Sequence, residues 1–328
     1  MTAKDQPVVL LAAGGTGGHL FPAEALAGEL VKRGIAIHLA TDERGMAYGG
    51  AFPARARHRI HAATPSGKSP LKLIAALLTL IRGIGESIAL IRQMRPDVVI
   101  GFGGYPSVPP LIAAALLRVP TYCHEQNGVL GRANRLVGYF VNRIATGFDH
   151  PKGASAHLTK KMIHIGNPVR PAVHAVMDHP YPPLGADDPI FIVITGGSQG
   201  ARILSHVVPE AFAVLPDKVK ARLHITHQAR DEDLEAARAL YSKFGFDADV
   251  QAFFDDLPKR IAASHLVIGR AGASTLAELA VIGRPSILVP LPGSLDQDQA
   301  ANAESLARIG AALVIKQTDF TSQKLAAT

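Results

Sequence analysis

Two stretches of the chain echo each other, and that echo limits the fold more than any other feature. Residues 8–18 read VVLLAAGGTGG, and residues 190–200 read IFIVITGGSQG. Each is an apolar run, then Gly-Gly, a small hydroxyl residue and a further Gly, leading into a helical pattern. A run apolar at every position suits a parallel strand covered on both faces. Glycines at the strand-to-helix turn let backbone approach a ligand closely, and the helix N-terminus beyond favours anions. Further short apolar runs at 35–40, 98–102, 223–226, 266–268 and 286–289 alternate with helical patterns at 23–33, 71–94, 230–244 and 275–283. Such alternation builds βαβ units and parallel sheets. The sequence therefore predicts an α/β protein with two Rossmann-like domains. The proline-rich stretches GNPVRPAV and HPYPPLG between the two starts read as a linker. They place the boundary near residue 168, giving domains 1–167 and 168–328.

Composition narrows the class. At roughly 150 residues per domain, 328 residues fit two domains. With 48% hydrophobic and 19% charged residues, the chain is globular in character, not disordered. The longest apolar stretches, 73–81 and 108–117, fall short of the roughly 18 to 20 residues needed to cross a bilayer. The opening MTAKDQPVVLLAAGG lacks the plan of a secretory signal. One cysteine, Cys123, excludes internal disulfides and cysteine-rich metal sites. These features point to the cytoplasm. Charge is uneven: residues 1–165 hold 19 Lys and Arg against 9 Asp and Glu, whereas residues 166–328 hold 15 against 18. A basic first half is expected to meet something anionic. Aromatics are 5% and Trp is absent, so stacking platforms for nucleic acid are poorly supplied and a membrane surface fits better.

The glycine loops carry the chemistry. In Gly14-Gly15-Thr16-Gly17-Gly18-His19 the third glycine of the dinucleotide fingerprint is missing, because Leu20 stands there. A tight structural turn is the plain alternative to a ligand loop. Gly196-Gly197-Ser198-Gln199-Gly200 matches the G-x-S-x-G nucleophile elbow of serine hydrolases and equally suits a diphosphate cradle with Ser198 donating. The echo favours the cradle, since a hydrolase needs only one elbow. GFGGYPS at 101–107 and GRAGAST at 269–275 also follow strands, and the second opens a helix carrying Glu278. A glutamate there can accept both ribose hydroxyls, although a solvated helix glutamate is the ordinary reading. His124-Glu125-Gln126-Asn127 sits at a strand end, where open α/β sheets place ligands. Cys123 reads as a core residue, and scattered histidines such as His58, His61 and His227 read as surface or core. Two D-x-D pairs, at 247–249 and 296–298, lack a histidine at ligand spacing, so no metal and no cofactor is expected.

GGTGGH at 14–19, GFGGYPS at 101–107, HEQN at 124–127, GNPVR at 166–170, GGSQGA at 196–201, RAGASTLAE at 270–278 and DQDQAANA at 296–303 occur in one order. With this set the chain resembles the MurG family of peptidoglycan glycosyltransferases, from the first strand to about residue 315. That family adds N-acetylglucosamine to undecaprenyl-diphospho-N-acetylmuramoyl-pentapeptide, lipid I. The resemblance implies the GT-B architecture, two Rossmann-like domains facing a cleft, with UDP-N-acetylglucosamine held mainly by the second. Another GT-B enzyme, such as a glycolipid synthase or a UDP-sugar epimerase, would share that fold; a serine hydrolase using Ser198 is a remoter alternative.

By motif match, the resemblance implies that Ser198 and Arg170 contact the nucleotide and that Phe254 lies beside uracil. Ala273, Ser274, Thr275, Leu276, Ala277 and Glu278 would line diphosphate and ribose, and Gln299 would reach the donor sugar. Thr16, Gly17, Gly18 and Asn127 would close on the donor, with Tyr105 and His124 on the acceptor side. An inverting displacement needs a general base. His19 suits that task, since an unperturbed histidine titrates near neutrality; Glu125 is the alternative. Asp298 departs from the family, which has His or Gln before the final Gln of this motif, and is expected to point away from the diphosphate. The chain stops about one turn into a helix starting near Thr321, which reads as a truncated C-terminal helix. The lipid acceptor implies a peripheral enzyme on the cytoplasmic side of the bacterial inner membrane. Leu71, Ile74 and Leu78, rimmed by Lys68, Lys72 and Arg82, with Arg118 ending a second apolar helix, are expected to lie on an anionic membrane. A core helix covered by protein on both sides is the alternative. Other cell-wall or division proteins are possible partners, and no nucleic acid is expected.

Overall fold

The computed structural model describes residues 6–47, 52–64, 69–197, 200–294 and 298–328. The chain divides into two compact units, Met1–Arg170 and Pro171–Thr328. The first is built on strands β1 (Val8–Ala12), β2 (Ala36–Thr41), β3 (Ala56–Arg59), β4 (Val98–Gly101), β5 (Thr121–Glu125), β6 (Arg143–Thr146) and β7 (Met162–His164). They lie in the order β3-β2-β1-β4-β5-β6-β7, with every pairing parallel. The second unit holds β8 (Ile190–Thr195), β9 (Leu223–Gln228), β10 (Ala248–Gln251), β11 (Leu266–Gly269), β12 (Ser286–Leu288) and β13 (Ala312–Val314). Their order, β10-β9-β8-β11-β12-β13, is also wholly parallel. In both sheets the third, second and first strands lie to one side and the fourth onward to the other. This is the doubly wound order, whose switch point falls between the first and fourth strands.

The apolar runs predict strands buried on both faces, and β1 shows why. Val9 and Leu11 join one core cluster with Leu20, Ala23 and Ala27 of helix Gly17–Lys32, while Leu10 and Ala12 join another with Val99, Leu111 and Ile91. Successive strand side chains point to opposite faces, so both parities must be apolar when helices cover both sides. Helix Gly17–Lys32 begins six residues before the periodicity alone suggests. Gly17, Gly18 and Pro22 are poor helix formers, but Leu20 and Ala23 are buried in the core, and that packing overrides propensity.

Helix Pro70–Met94 revises one expectation. Counted by uninterrupted apolar residues it is too short to cross a membrane. As a 25-residue helix it is long and apolar enough by length and composition, with a mean hydropathy of 1.8 over its best window. Lys72 and Arg82 bound the apolar run without breaking the helix. Its inward stripe is Ala76, Leu80, Gly83, Ser87 and Ile91. A Cβ on Gly83 would collide with the carbonyl of His61, so a glycine is required for the helix to lie this close.

The proline-rich segment is fastened along residues 179–183. Prolines lack an N–H but keep a carbonyl acceptor. Arg284 donates to His179 O at 3.0 Å and Pro180 O at 2.8 Å, and His265 Nε2 bonds Pro183 O at 3.1 Å. Tyr181 OH returns a bond to His265 O at 3.0 Å. These residues strap the segment along the second unit.

His227, read as surface or core, lies fully buried in the second core. Its Nδ1 is 2.9 Å from Tyr241 OH and its Nε2 is 3.5 Å from Ser205 Oγ. Burial holds its pKa down at about 4, against 6.5 ordinarily. Between those values the unfolded chain binds the proton first, so stability falls as pH drops from 6.5 toward 4, by on the order of 3 kcal/mol in all. The melting temperature is therefore expected to fall between pH 7 and pH 5. His227→Asn should be less stable at pH 7 yet lose part of that slope; parallel slopes for the two proteins would assign the acid sensitivity to another group.

Candidate active site

In the first unit, β1 and β4 end side by side, and their glycine loops touch: Gly14 N donates to Gly103 O at 3.3 Å. His19 lies in the first turn of helix Gly17–Lys32, half-buried, with its ring against the second loop. A Cβ on Gly103 would stand 3.3 Å from the His19 ring and from Asn134 Nδ2, and one on Gly104 would stand 3.2 Å from the ring. Both glycines have positive φ, +86° and +72°. Part of the glycine content read as room for a ligand is therefore room for this imidazole. Thr16 caps the helix without a side-chain bond, Gly17 is half-buried and Gly18 is exposed. Tyr105 opens a short turn and packs half-buried on the core.

His124 and Glu125, expected near the acceptor, are buried and committed to internal bonds. Glu125 Oε1 accepts from Asn127 N at 3.0 Å and Asn127 Nδ2 at 3.2 Å; Oε2 accepts from Gly131 N at 2.8 Å and Asn134 Nδ2 at 2.9 Å. Four N–H donors take up the acceptor positions of one carboxylate. Burial raises its pKa, and the donors pull against that rise. His124 donates from Nε2 to Gly166 O at 3.0 Å and accepts at Nδ1 from Gln126 Nε2 at 3.1 Å. Burial holds that imidazole neutral, with its pKa near 4. Asn167 Nδ2 donates to Gln126 O at 2.9 Å, so GNPVR is pinned to the end of β5. Arg170, placed by the sequence in the second domain, is the last residue of the first unit, its guanidinium 4.7 Å over the Phe21 ring.

In the second unit the equivalent strands β8 and β11 pair at Thr195 and Gly269, and Arg270 N donates to Thr195 O at 3.2 Å. The buried Arg270 guanidinium donates to Val289 O at 2.9 Å and to Gln317 Oε1 at 2.7 Å. Gln299 Oε1 accepts from Ala271 N at 3.3 Å and Leu291 N at 3.0 Å. Its carbonyl oxygen thus ties two loops together. Asp298 turns its carboxylate onto Gln299 N at 2.8 Å, which neutralises part of its own helix end. Helix Ala273–Ile282 begins after Gly272, and Thr275 Oγ1 lies near both Gly197 and Gly272, at 3.8 and 3.9 Å from where their Cβ atoms would be. Ser274 and Ala277 are half-buried, Ala273 and Glu278 are buried, and Leu276 sends its side chain into the core. Phe254 is buried under the Arg260 guanidinium, 4.4 Å above its ring, while Phe253 is exposed. Arg260 also takes Asp249 of the first D-x-D pair at 2.7 Å. Among the described residues no group of three His, Cys, Asp or Glu is arranged to hold a metal ion. Ser198, Asp296 and Gln297 lie outside the described residues.

Helices Gly17–Lys32, Arg202–Ala213 and Ala273–Ile282 all follow these loops, carry no acid in the first turn and have no side-chain cap. Their positive dipole ends and backbone N–H groups are therefore available to anions. Asn134, which joins His124 and Glu125 to the His19 pocket, is a functional candidate that the sequence does not single out. A lone amide on a short helix carries no signal until the fold brings it to the end of β5.

The expected membrane face is exposed where it is described. Leu71 is 77% and Leu78 61% accessible, and Leu73, Ile74, Leu77 and Ile81 are exposed with them. Lys72 and Arg118 are exposed; Arg82 is exposed but pairs with Glu86 at 2.9 Å, which also takes His61 at 2.8 Å. Lys68 lies outside the described residues.

Comparison with known proteins places these clusters in a family. Residues 9–146 match the glycosyltransferase family 28 N-terminal domain, and residues 191–328 match its C-terminal domain. A protein of Methylobacterium sp. (strain 4-46) is 59% identical over 98% of this chain and 87% of its own length. One of Methylobacterium nodulans is 57% identical over 98% and 87%. Both are named UDP-N-acetylglucosamine–N-acetylmuramyl-(pentapeptide) pyrophosphoryl-undecaprenol N-acetylglucosamine transferase. The crystal structure of Acinetobacter baumannii MurG superposes with a TM-score of 0.76 at 30% identity, over 98% of this chain and 89% of that one. The chain therefore belongs to glycosyltransferase family 28 and, within it, to the MurG N-acetylglucosaminyltransferases, with the two Rossmann-like domains of the GT-B fold.

Proposed function

We propose that this enzyme moves N-acetylglucosamine from UDP-N-acetylglucosamine to the C4 hydroxyl of the N-acetylmuramoyl-pentapeptide on undecaprenyl diphosphate, converting lipid I to lipid II in peptidoglycan synthesis. The observation that carries this reading is the duplication of the switch point: each sheet brings two glycine loops to the ends of its first and fourth strands, followed by uncapped helix N-termini. Two such places suit a reaction with two diphosphate-bearing substrates. The relatives' transferase name separates this reading from the epimerase that shares the fold.

In this reading the second unit takes the donor. Glu278 accepts from the ribose hydroxyls, and the N-terminus of helix Ala273–Ile282 faces the diphosphate. The acceptor hydroxyl attacks the anomeric carbon as the bond to UDP breaks, and the α linkage becomes β. The leaving electron pair goes to the diphosphate, where helix dipoles stabilise the added charge. His19 accepts the proton of the attacking hydroxyl. What favours His19 over Glu125 is the four N–H donors that already occupy the Glu125 oxygens. Glu125 then acts as the brace of the loop below the site. The exposed leucines of helix Pro70–Met94, with Lys72 and Arg118, rest on the anionic inner surface of the membrane that holds the lipid. Each basic residue near that surface contributes about 1 kcal/mol.

Three outcomes test the reading. His19→Ala should lower turnover by roughly 10² to 10⁴ with UDP affinity little changed; near-normal turnover at saturating acceptor would remove His19 from the role. Glu278→Ala should weaken UDP binding by roughly 10- to 100-fold, the worth of charge-assisted hydrogen bonds. Wild type should also prefer UDP to 2′-deoxy-UDP in calorimetry, and equal affinities would refute the ribose contact. Leu71→Ser with Leu78→Ser, both exposed, should leave the melting temperature unchanged but reduce co-sedimentation with phosphatidylglycerol vesicles. Undiminished co-sedimentation would place the membrane face elsewhere.

A further inference from the structure

Thr195 is the last residue of β8, and three segments meet on it. Its hydroxyl accepts from Gly197 N at 3.2 Å and donates to Gln228 Oε1 at 2.9 Å. Gln228 is the last residue of β9, and its Nε2 donates to Ala252 O at 3.2 Å, just beyond β10. The Thr195 carbonyl accepts from Arg270 N at 3.2 Å. Thr195 and Gln228 are both buried. Neither residue belongs to a glycine loop, and neither is assigned any role in the reaction proposed above.

We infer that Thr195 and Gln228 form a positioning relay for the donor site, setting the Gly197 amide and the 252–254 segment relative to each other. The inference rests on the reading of the second unit as the donor site. Its physical basis is that the loops have few means of their own to hold this geometry. Gly197 has φ of +71° and no side chain, so its amide direction is fixed from outside. Thr195 supplies that restraint, because a hydroxyl can accept from one group while donating to another. Once its single hydrogen goes to Gln228 Oε1, its lone pairs point to Gly197. Gln228 is held in turn by its amide group: the oxygen faces Thr195 and the nitrogen faces Ala252 O. The chain has a single consistent direction, from Gln228 N–H to the Ala252 carbonyl and from Thr195 O–H to the Gln228 oxygen. A valine at 195 or a carboxylate at 228 breaks it in different places. Valine removes both bonds of the hydroxyl. A glutamate keeps the acceptor for Thr195 but sets a carboxylate oxygen against the Ala252 carbonyl.

Neither residue touches the reacting atoms in this scheme, so the effect falls on donor binding and not on the chemical step. Thr195→Val should raise the dissociation constant for UDP and KM for UDP-N-acetylglucosamine by roughly tenfold, the worth of one neutral hydrogen bond. At saturating donor, kcat and the acceptor KM should stay within about twofold. Thr195→Ser should restore donor binding, and Gln228→Glu should weaken it. The double variant Thr195→Val, Gln228→Glu should lose about as much as its worse single parent, because residues in one network are not additive. Circular dichroism melts accompany each protein; if the valine variant fails to fold, the serine and glutamate variants carry the test. Unchanged UDP affinity in a folded Thr195→Val or Gln228→Glu, or fully additive losses in the double variant, would overturn the relay. A wild-type protein that does not bind UDP would instead overturn the donor-site reading itself.

Discussion

Both candidate sites of this molecule depend on parallel pairing, of β1 with β4 and of β8 with β11. All strands of a parallel sheet end on one edge, so their loops gather there. At most positions the following helix folds back over its neighbour and covers the edge. Between the first and fourth strands the connections depart in opposite directions, and the cover is incomplete. The glycine loops occupy that gap. Apolar residues bury the strands, small residues line the opening, and the helix ends beyond supply N–H groups. No single residue creates the site; the strand order does, twice.

The ionisable groups of the first unit show how burial sorts residues that look alike in sequence. His19, His124 and Glu125 all stand beside glycine loops or strand ends. Only His19 remains half-buried, its ring against the glycine loops, whereas His124 and Glu125 are sealed in with their partners chosen. A carboxylate removed from water is tolerable only with donors on its oxygens. The same four donors that make Glu125 tolerable also occupy it. It holds Asn127, Gly131 and Asn134 around one point.

Much of this was legible in the sequence, for physical reasons that differ by element. Strand β1, covered on both faces, and β8, buried from Ile192 onward, could be placed to the residue, because continuous apolar runs have few alternatives. The edge strand β3 could not, since ARHR carries three charged or titratable residues and little burial. The start of helix Gly17–Lys32 was hidden by two glycines and a proline. Motifs at a fixed spacing were readable as strand-end loops, and the fold does bring the His19 ring against Gly103 and Gly104. The bonds of Glu125 to Gly131 and Asn134 were not readable, because they join residues six and nine apart through a turn that only the folded chain defines. Arg170 illustrates the same limit at larger scale: GNPVR looks like the start of a linker, yet His124 and Gln126 hold its first residues to β5.

Helix Pro70–Met94 answers to two sets of demands at once. Its inward stripe admits only small or well-fitted residues, with Gly83 pressed on the His61 carbonyl. If its outward surface rests on a membrane, as proposed, that surface asks only for oiliness. Over evolutionary time the two faces should drift under different rules. Leucine, isoleucine, phenylalanine and methionine can exchange freely outside, while positions 76, 83 and 87 stay nearly fixed. A comparison of relatives that averages over the helix would see moderate variability; one that separates its faces would find a frozen seam beside a surface kept apolar but in no particular order.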